Sequence, residues 1–131
     1  MNRRLTVSLK IWLATLALYA GGALAHHSPI VFDRTHQITI EGVVTEFKWS
    51  SPHSWIHLDV KDAKGVVGNW GVEMNPASLL ARTGWRATTV KPGDRVSISV
   101  YPLRNNEKGG QYVSIELPDG KTLGERPDGV L

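Results

Sequence analysis

Segment 38–49 changes phase part-way along, and that change limits what the chain can fold into. Ile38 and Ile40 are apolar on even positions, whereas Val43, Phe47 and Trp49 are apolar on odd ones. In a strand, successive side chains point to opposite faces, so a reversal of phase requires an extra residue, a bulge that bends the strand. The reversal falls at Gly42, where the bulge is expected. A long strand bent in this way can serve two sheets at once, as the first strand of a small barrel does.

The segments that follow keep one phase each. From Ser54 to Asp62, Ile56, Leu58 and Val60 face one side while His53, Trp55, His57 and Asp59 face the other. Asp62-Ala63-Lys64-Gly65 has turn chemistry. Val66, Trp70, Val72 and Met74 then share one face of a second strand, so the two segments form a hairpin. Asn75-Pro76 opens a short helix, with Asn75 expected as N-cap and Pro76 as first helical residue, and Gly84 stops it. Its apolar side, Leu79 and Leu80, is expected to plug one end of a barrel. Trp85 and Val90 lead to the turn Lys91-Pro92-Gly93-Asp94, and Val96, Ile98 and Val100 make the fourth strand. Segment 102–110 reads as a polar loop, and Val113, Ile115 and Leu117 make the last strand. The order of three strands, a short helix and two strands predicts an all-β fold with one short helix. This is a five-stranded OB-like barrel, with a small β-sandwich as the alternative.

The first 25 residues read as an address. Arg3, Arg4 and Lys10 precede the apolar run Ile11–Ala20, Gly21-Gly22 break it, and Ala23-Leu24-Ala25 supplies a peptidase site. Together these form a secretory signal peptide cleaved after Ala25. An uncleaved anchor would need about 20 consecutive apolar residues, which Lys10 and the glycine pair prevent. The general export route fits the flanks of Arg3-Arg4 better than the twin-arginine route. The expected organisation is a signal peptide over 1–25, a His-containing segment over 26–36, the barrel over 37–117 and an extended tail over 118–131. The expected location is the periplasm or the exterior.

Charge then excludes a class of partner. The 131-residue chain carries 15 Lys and Arg against 12 Asp and Glu, but three of the basic residues and none of the acidic ones lie in the first 25. The exported chain is balanced, so nucleic acid is not an expected partner, and no membrane is after cleavage. The chain has no Cys, which excludes disulfides, thiolate metal sites and Cys nucleophiles.

At this point the residues resemble a group of small exported bacterial proteins of unknown function. The likeness lies in Ala25-His26-His27-Ser28, Phe32-Asp33, Glu41-Gly42-Val43-Val44, Glu46-Phe47-Lys48-Trp49, Pro52-His53-Ser54-Trp55, Trp70, Gly84-Trp85 and Lys91-Pro92-Gly93-Asp94. It covers nearly all of the exported chain and implies a periplasmic barrel-like domain with no named activity. Asn75-Pro76-Ala77-Ser78 departs from the group, which tends to be richer in Gly there.

Two sets of candidate site residues emerge. The first is a metal set. Cleavage after Ala25 frees an α-amine on His26, and that amine, His26, His27, and either His36 or His53 offer nitrogen ligands suited to Cu(II) or another divalent metal. A copper oxygenase of the N-terminal His type needs a larger scaffold and a flat substrate face. His53 and His57 have the spacing of a helical metal pair, but on a strand four residues span about 13 Å, too far for one ion. The second is a ligand-binding set. Trp55 and His57 share a face on which an aromatic ring can stack against a sugar or base, and Arg104, Lys108 and Gln111 can add polar contacts from the loop after the fourth strand. The competing reading makes Trp55 a covered wall of the barrel and His53 a strand-end cap. No hydrolase, metalloprotease or phosphate-loop motif is present, so a binding module is expected rather than an enzyme, for an unidentified ligand or partner protein. Glu41, Glu46, Asp59 and Glu73 read as solvated faces.

Overall fold

In the computed structural model, which describes residues 31–124, the alternating segments close into a barrel. The elements are β1 (Ile38–Lys48), β2 (Ser54–Lys61), β3 (Val67–Met74), α1 (Ala77–Arg82), β4 (Arg95–Pro102), β5 (Gly109–Glu116) and β6 (Thr122–Gly124). Neighbours run β3-β2-β1-β4-β5-β6, and β3 also pairs with β5. All pairings are antiparallel except β3–β5, which is parallel and closes the five strands β1 to β5 into a mixed, OB-like barrel. Among the described residues no helix is long and apolar enough to cross a membrane.

The bend in β1 is present, but three residues later than the sequence places it. Ile40, Gly42 and Val44 all face inward, and the register with β2 shifts between Val44 and Glu46, so Thr45 is the extra residue. Gly42 is needed for a different reason. A Cβ there would stand 2.7 Å from the Asp59 carbonyl oxygen, so the glycine lets β1 and β2 approach closely. The turn before β4 docks at the bulge, with the Val44 amide donating to the Asp94 carbonyl and the Gly93 amide donating to the Val44 carbonyl, both at 2.8 Å. A second shift, between Ser99 and Val100 against β5, leaves Val113 as its extra residue.

The core is the inward-facing set of both hairpins, with Ile56, Leu58, Val72, Ile98 and Val100 fully buried. Trp85 is fully buried too and is the largest such side chain. It plugs the barrel end between Phe47 and Tyr112, with ring centroids 5.8 and 5.5 Å away. Its Nε1 donates to the Tyr112 hydroxyl at 3.3 Å, and that hydroxyl donates to the Leu123 carbonyl at 2.8 Å. Of the expected plug residues on α1, Leu80 is buried, while Leu79 stays 47% exposed.

Several local expectations are corrected. Pro76 is the N-cap of α1 and makes no side-chain cap bond. The Asn75 carbonyl accepts from the Ser54 amide, which keeps Asn75 in the hairpin rather than in the helix. Val66 lies in the turn and is exposed, whereas Trp70 packs half-buried against the core as expected. β5 starts at Gly109, inside the segment expected as loop, because Gly109 pairs with β3 and Gly110 with both β3 and β4. A Cβ at Gly110 would stand 2.7 Å from Val100, so only glycine fits that seam. Within the segment expected as tail, β6 adds to β5 and buries Leu123.

Candidate functional site

The hairpin β2–β3 turns one face outward, and the register sets what stands on it. Trp55 is opposite Glu73, His57 opposite Gly71 and Asp59 opposite Asn69. From β1, Lys48 stands beside Trp55 and Glu46 beside His57. Strand alternation therefore carries Trp55 and His57 to one surface without any further device. Their rings are nearly parallel, 14° apart, with centroids separated by 6.2 Å. Gly71 forms the bed beneath them: a point at its missing Cβ lies 3.6 Å from His57 and 3.8 Å from Trp55. Both rings are partly buried, against backbone rather than inside the core.

Polar groups frame the rings. Lys48 and Glu46 approach to 3.4 Å at the surface, an exposed ion pair that adds little to stability. The Asn69 amide donates to Asp59 Oδ1 at 3.1 Å. Glu73 is the most enclosed carboxylate of the group, its side chain only 14% exposed. His53 Nδ1 lies 3.1 Å from Glu73 Oε1 and 3.2 Å from the Met74 carbonyl. Both neighbours are acceptors, so Nδ1 carries the ring proton and the lone pair of a neutral ring sits on Nε2.

Beyond Glu73 the surface drops into a cleft of about 420 Å³. It exists because β3 and β5 pair only between Gly71–Glu73 and Gly109–Gln111, after which β3 ends and the chain turns into α1. Glu73, Asn75, Thr83, Tyr101 and Gln111 line it, with Arg34 at the rim, its guanidinium donating to Gln111 Oε1 at 2.8 Å. Tyr112 is at the floor, and burial pushes its phenol well above the ordinary range, an effect only partly offset by the Trp85 hydrogen bond.

The expected site residues are thus divided. Trp55 and His57 share one surface, and His53 meets that surface through Glu73. Arg104 and Lys108 have other surroundings, at the β4–β5 loop. The Arg104 guanidinium is 3.9 Å from Asp33, and its amide donates to the Val31 carbonyl, strapping segment 31–36 to the loop. Lys108 lies over Gly68, where a Cβ would collide with its ammonium end. His36 is 3.4 Å from Asp33. The Thr35 hydroxyl and amide hold the Asp33 carboxyl below its usual range, helped by Arg104 and His36. His26 and His27 lie outside the described residues. Among the described residues no three His, Asp or Glu side chains are placed to hold one metal ion.

Glu73, Arg34 and Asn75 were not singled out as site residues by the sequence. Glu73 sits on an outward phase that normally means solvent, and the parallel seam that encloses it leaves no local pattern.

The family model for DUF6152, described as a family of unknown function, matches residues 14–112. The chain belongs to DUF6152. No curated protein matches the sequence. Among solved structures, the mitochondrial single-stranded DNA binding protein Rim1 of S. cerevisiae is similar over 63% of this chain and 92% of its own, at 12% identity and a TM-score of 0.48.

Proposed function

We propose that this DUF6152 member is an exported binding module that holds a small ligand on the outer face of β2 and β3, against Trp55 and His57. The observation that carries the reading is the near-parallel pair of rings seated over Gly71, outside the core. Aromatic surfaces placed on a sheet rather than in a core bind flat ligand faces by stacking. The charges around them, Glu46, Lys48, Asp59 and Glu73, do not make a basic surface, so a polyanion is not the ligand. Export is supported by the basic start, the short apolar run and the Ala23-Leu24-Ala25 site.

The test is calorimetric titration of the exported chain and its Trp55→Ala variant with mono- and oligosaccharides, nucleosides and aromatic amines. Binding by the exported chain that falls at least tenfold in the variant, with its fold intact by circular dichroism, supports the reading. Equal affinities overturn it.

A second reading is favoured by one contact. A carboxylate on Nδ1 of a histidine is the arrangement that orients metal-bound imidazoles, and Glu73 stands so to His53. In this reading the amine and imidazole of His26, with His27 and His53, take Cu(II) after cleavage, while His36 stays with Asp33. Its test is Cu(II) titration of the form starting at His26 beside one with an extra N-terminal residue. A loss of affinity in the extended form supports it, and equal affinity removes the amine from the site.

A further inference from the structure

We infer that the ligand is a neutral polyhydroxylated chain, an oligosaccharide, that starts on Trp55, crosses Glu73 and continues into the cleft between β3 and β5. The inference rests on the proposed binding face and extends it to a ligand class and a second subsite. Glu73 joins the two places. It is opposite Trp55 in the ladder, so their Cβ atoms are about 5 Å apart, and it also lines the cleft. A ligand stacked on Trp55 therefore meets the Glu73 carboxylate at its edge, and its next unit meets the cleft.

The cleft chemistry selects among chains. Glu73 presents acceptor oxygens, one of them shared with His53, and Asn75 presents an amide that both donates and accepts. Gln111, whose carbonyl oxygen accepts from Arg34, presents its NH2 as donor; Tyr101, whose hydroxyl accepts from Gln37, presents its O–H as donor; and Thr83, whose hydroxyl donates to the Leu80 carbonyl, presents an acceptor. Such groups match adjacent hydroxyls on a sugar ring, which both donate and accept. Arg34 is the one cation and Glu73 the one carboxylate among the lining residues, so the cleft favours a ligand without net charge. A phosphate chain would place its charges beside Glu73. A purely apolar ligand would strand these polar groups without water, which costs about 1–3 kcal/mol for each group left unpaired. At about 420 Å³ the cleft is within the size of small-ligand sites.

The experiment titrates the exported full chain with cello- and chito-oligosaccharides of one to six rings, with nucleosides as the contrasting probe. Three variants accompany it: Trp55→Ala, Gln111→Ala and Tyr101→Phe. The expected result is affinity that rises with chain length over the first few rings. Gln111→Ala should lower the affinity of the longer chains about fivefold to tenfold, the worth of one or two hydrogen bonds, and leave the single ring unchanged. Tyr101→Phe changes one hydroxyl only and should act in the same direction, so a folding defect in Gln111→Ala does not leave the question open. Affinity independent of length, or indifferent to both cleft variants, overturns the oligosaccharide path while Trp55-dependent binding stands. Trp55-dependent binding of nucleosides with none of oligosaccharides does the same. Binding of no probe in a Trp55-dependent way overturns both the path and the face.

Discussion

Trp55 and Glu73 face each other across the β2–β3 ladder, an indole beside a carboxylate whose Oε1 lies 3.1 Å from His53 Nδ1. One outward-pointing residue of β3 thereby touches the aromatic face, the loop after β1 and the cleft beside β5. Removing it should be felt in the fold as well as at the site. Glu73→Ala removes the carboxylate from His53 Nδ1 and keeps its contact with the Met74 carbonyl, and should cost about 1–2 kcal/mol. Glu73→Gln retains an acceptor oxygen and should cost less. Urea denaturation of the two variants checks the order, and equal losses would mean that the contact contributes nothing.

The two tryptophans separate site from core. Trp85 is fully buried and hydrogen-bonded to Tyr112, so Trp85→Ala should lose about 3–5 kcal/mol. Trp55 rests on Gly71 outside the core, and Trp55→Ala should lose about 1 kcal/mol. Thermal unfolding of both variants measures the difference. A loss at Trp55 as large as at Trp85 would make it a structural wall.

Tyr112 gives the barrel an alkaline limit. Its phenol is raised above the ordinary 10.0, chiefly by burial. The unfolded chain therefore releases this proton before the folded one does, and stability falls as pH rises above about 10. Tyr112→Phe should remove that part of the decline while losing the bond to the Leu123 carbonyl at every pH. Denaturation midpoints between pH 8 and pH 11, by parallel titration of both proteins, test it. The same slope in both would assign the decline to other groups.

Asp33 acts at the other end of the scale. Its carboxyl is held below 3.8 by the Thr35 hydroxyl and amide, with help from Arg104 and His36. A depressed acid stabilises the folded state above its unfolded pKa, and that contribution is lost as pH falls through the folded value. The strap of segment 31–36 on the β4–β5 loop should loosen below about pH 4, the ordinary titration range of Asp. Hydrogen exchange at the Arg104 amide, which donates to the Val31 carbonyl, reports it. Asp33→Asn should show the loosened exchange already at neutral pH, and no change in either case would sever Asp33 from the strap.

The strands were legible because alternation is a local signal: Ile56 and Leu58 inward, Trp55 and His57 outward, needs only the residues themselves. The bulge was legible as an event but not as a position. Val43 and Val44 are both apolar, and only the register shows that Val44 keeps the first phase and Thr45 breaks it. β6 is not legible, because three residues with a single buried apolar side chain, Leu123, carry no period. Trp85 carries no core signal in the sequence because it follows a helix rather than lying on a strand face. The site was half legible. Trp55 and His57 are two apart on one strand, whereas His53 meets Glu73 only across the β2–β3 ladder, and Glu73 meets Gln111 only when β3 closes on β5.

The most direct measurement is a two-dimensional ¹⁵N spectrum of residues 26–131, following the indole Nε1–H signals of Trp49, Trp55, Trp70 and Trp85 while a chito-oligosaccharide is added. The Trp55 signal should move with the first ring, the Gln111 amide should move as the chain lengthens, and Trp85 should stay still. Movement of Trp49 or Trp70 with Trp55 unchanged would contradict the proposed binding face.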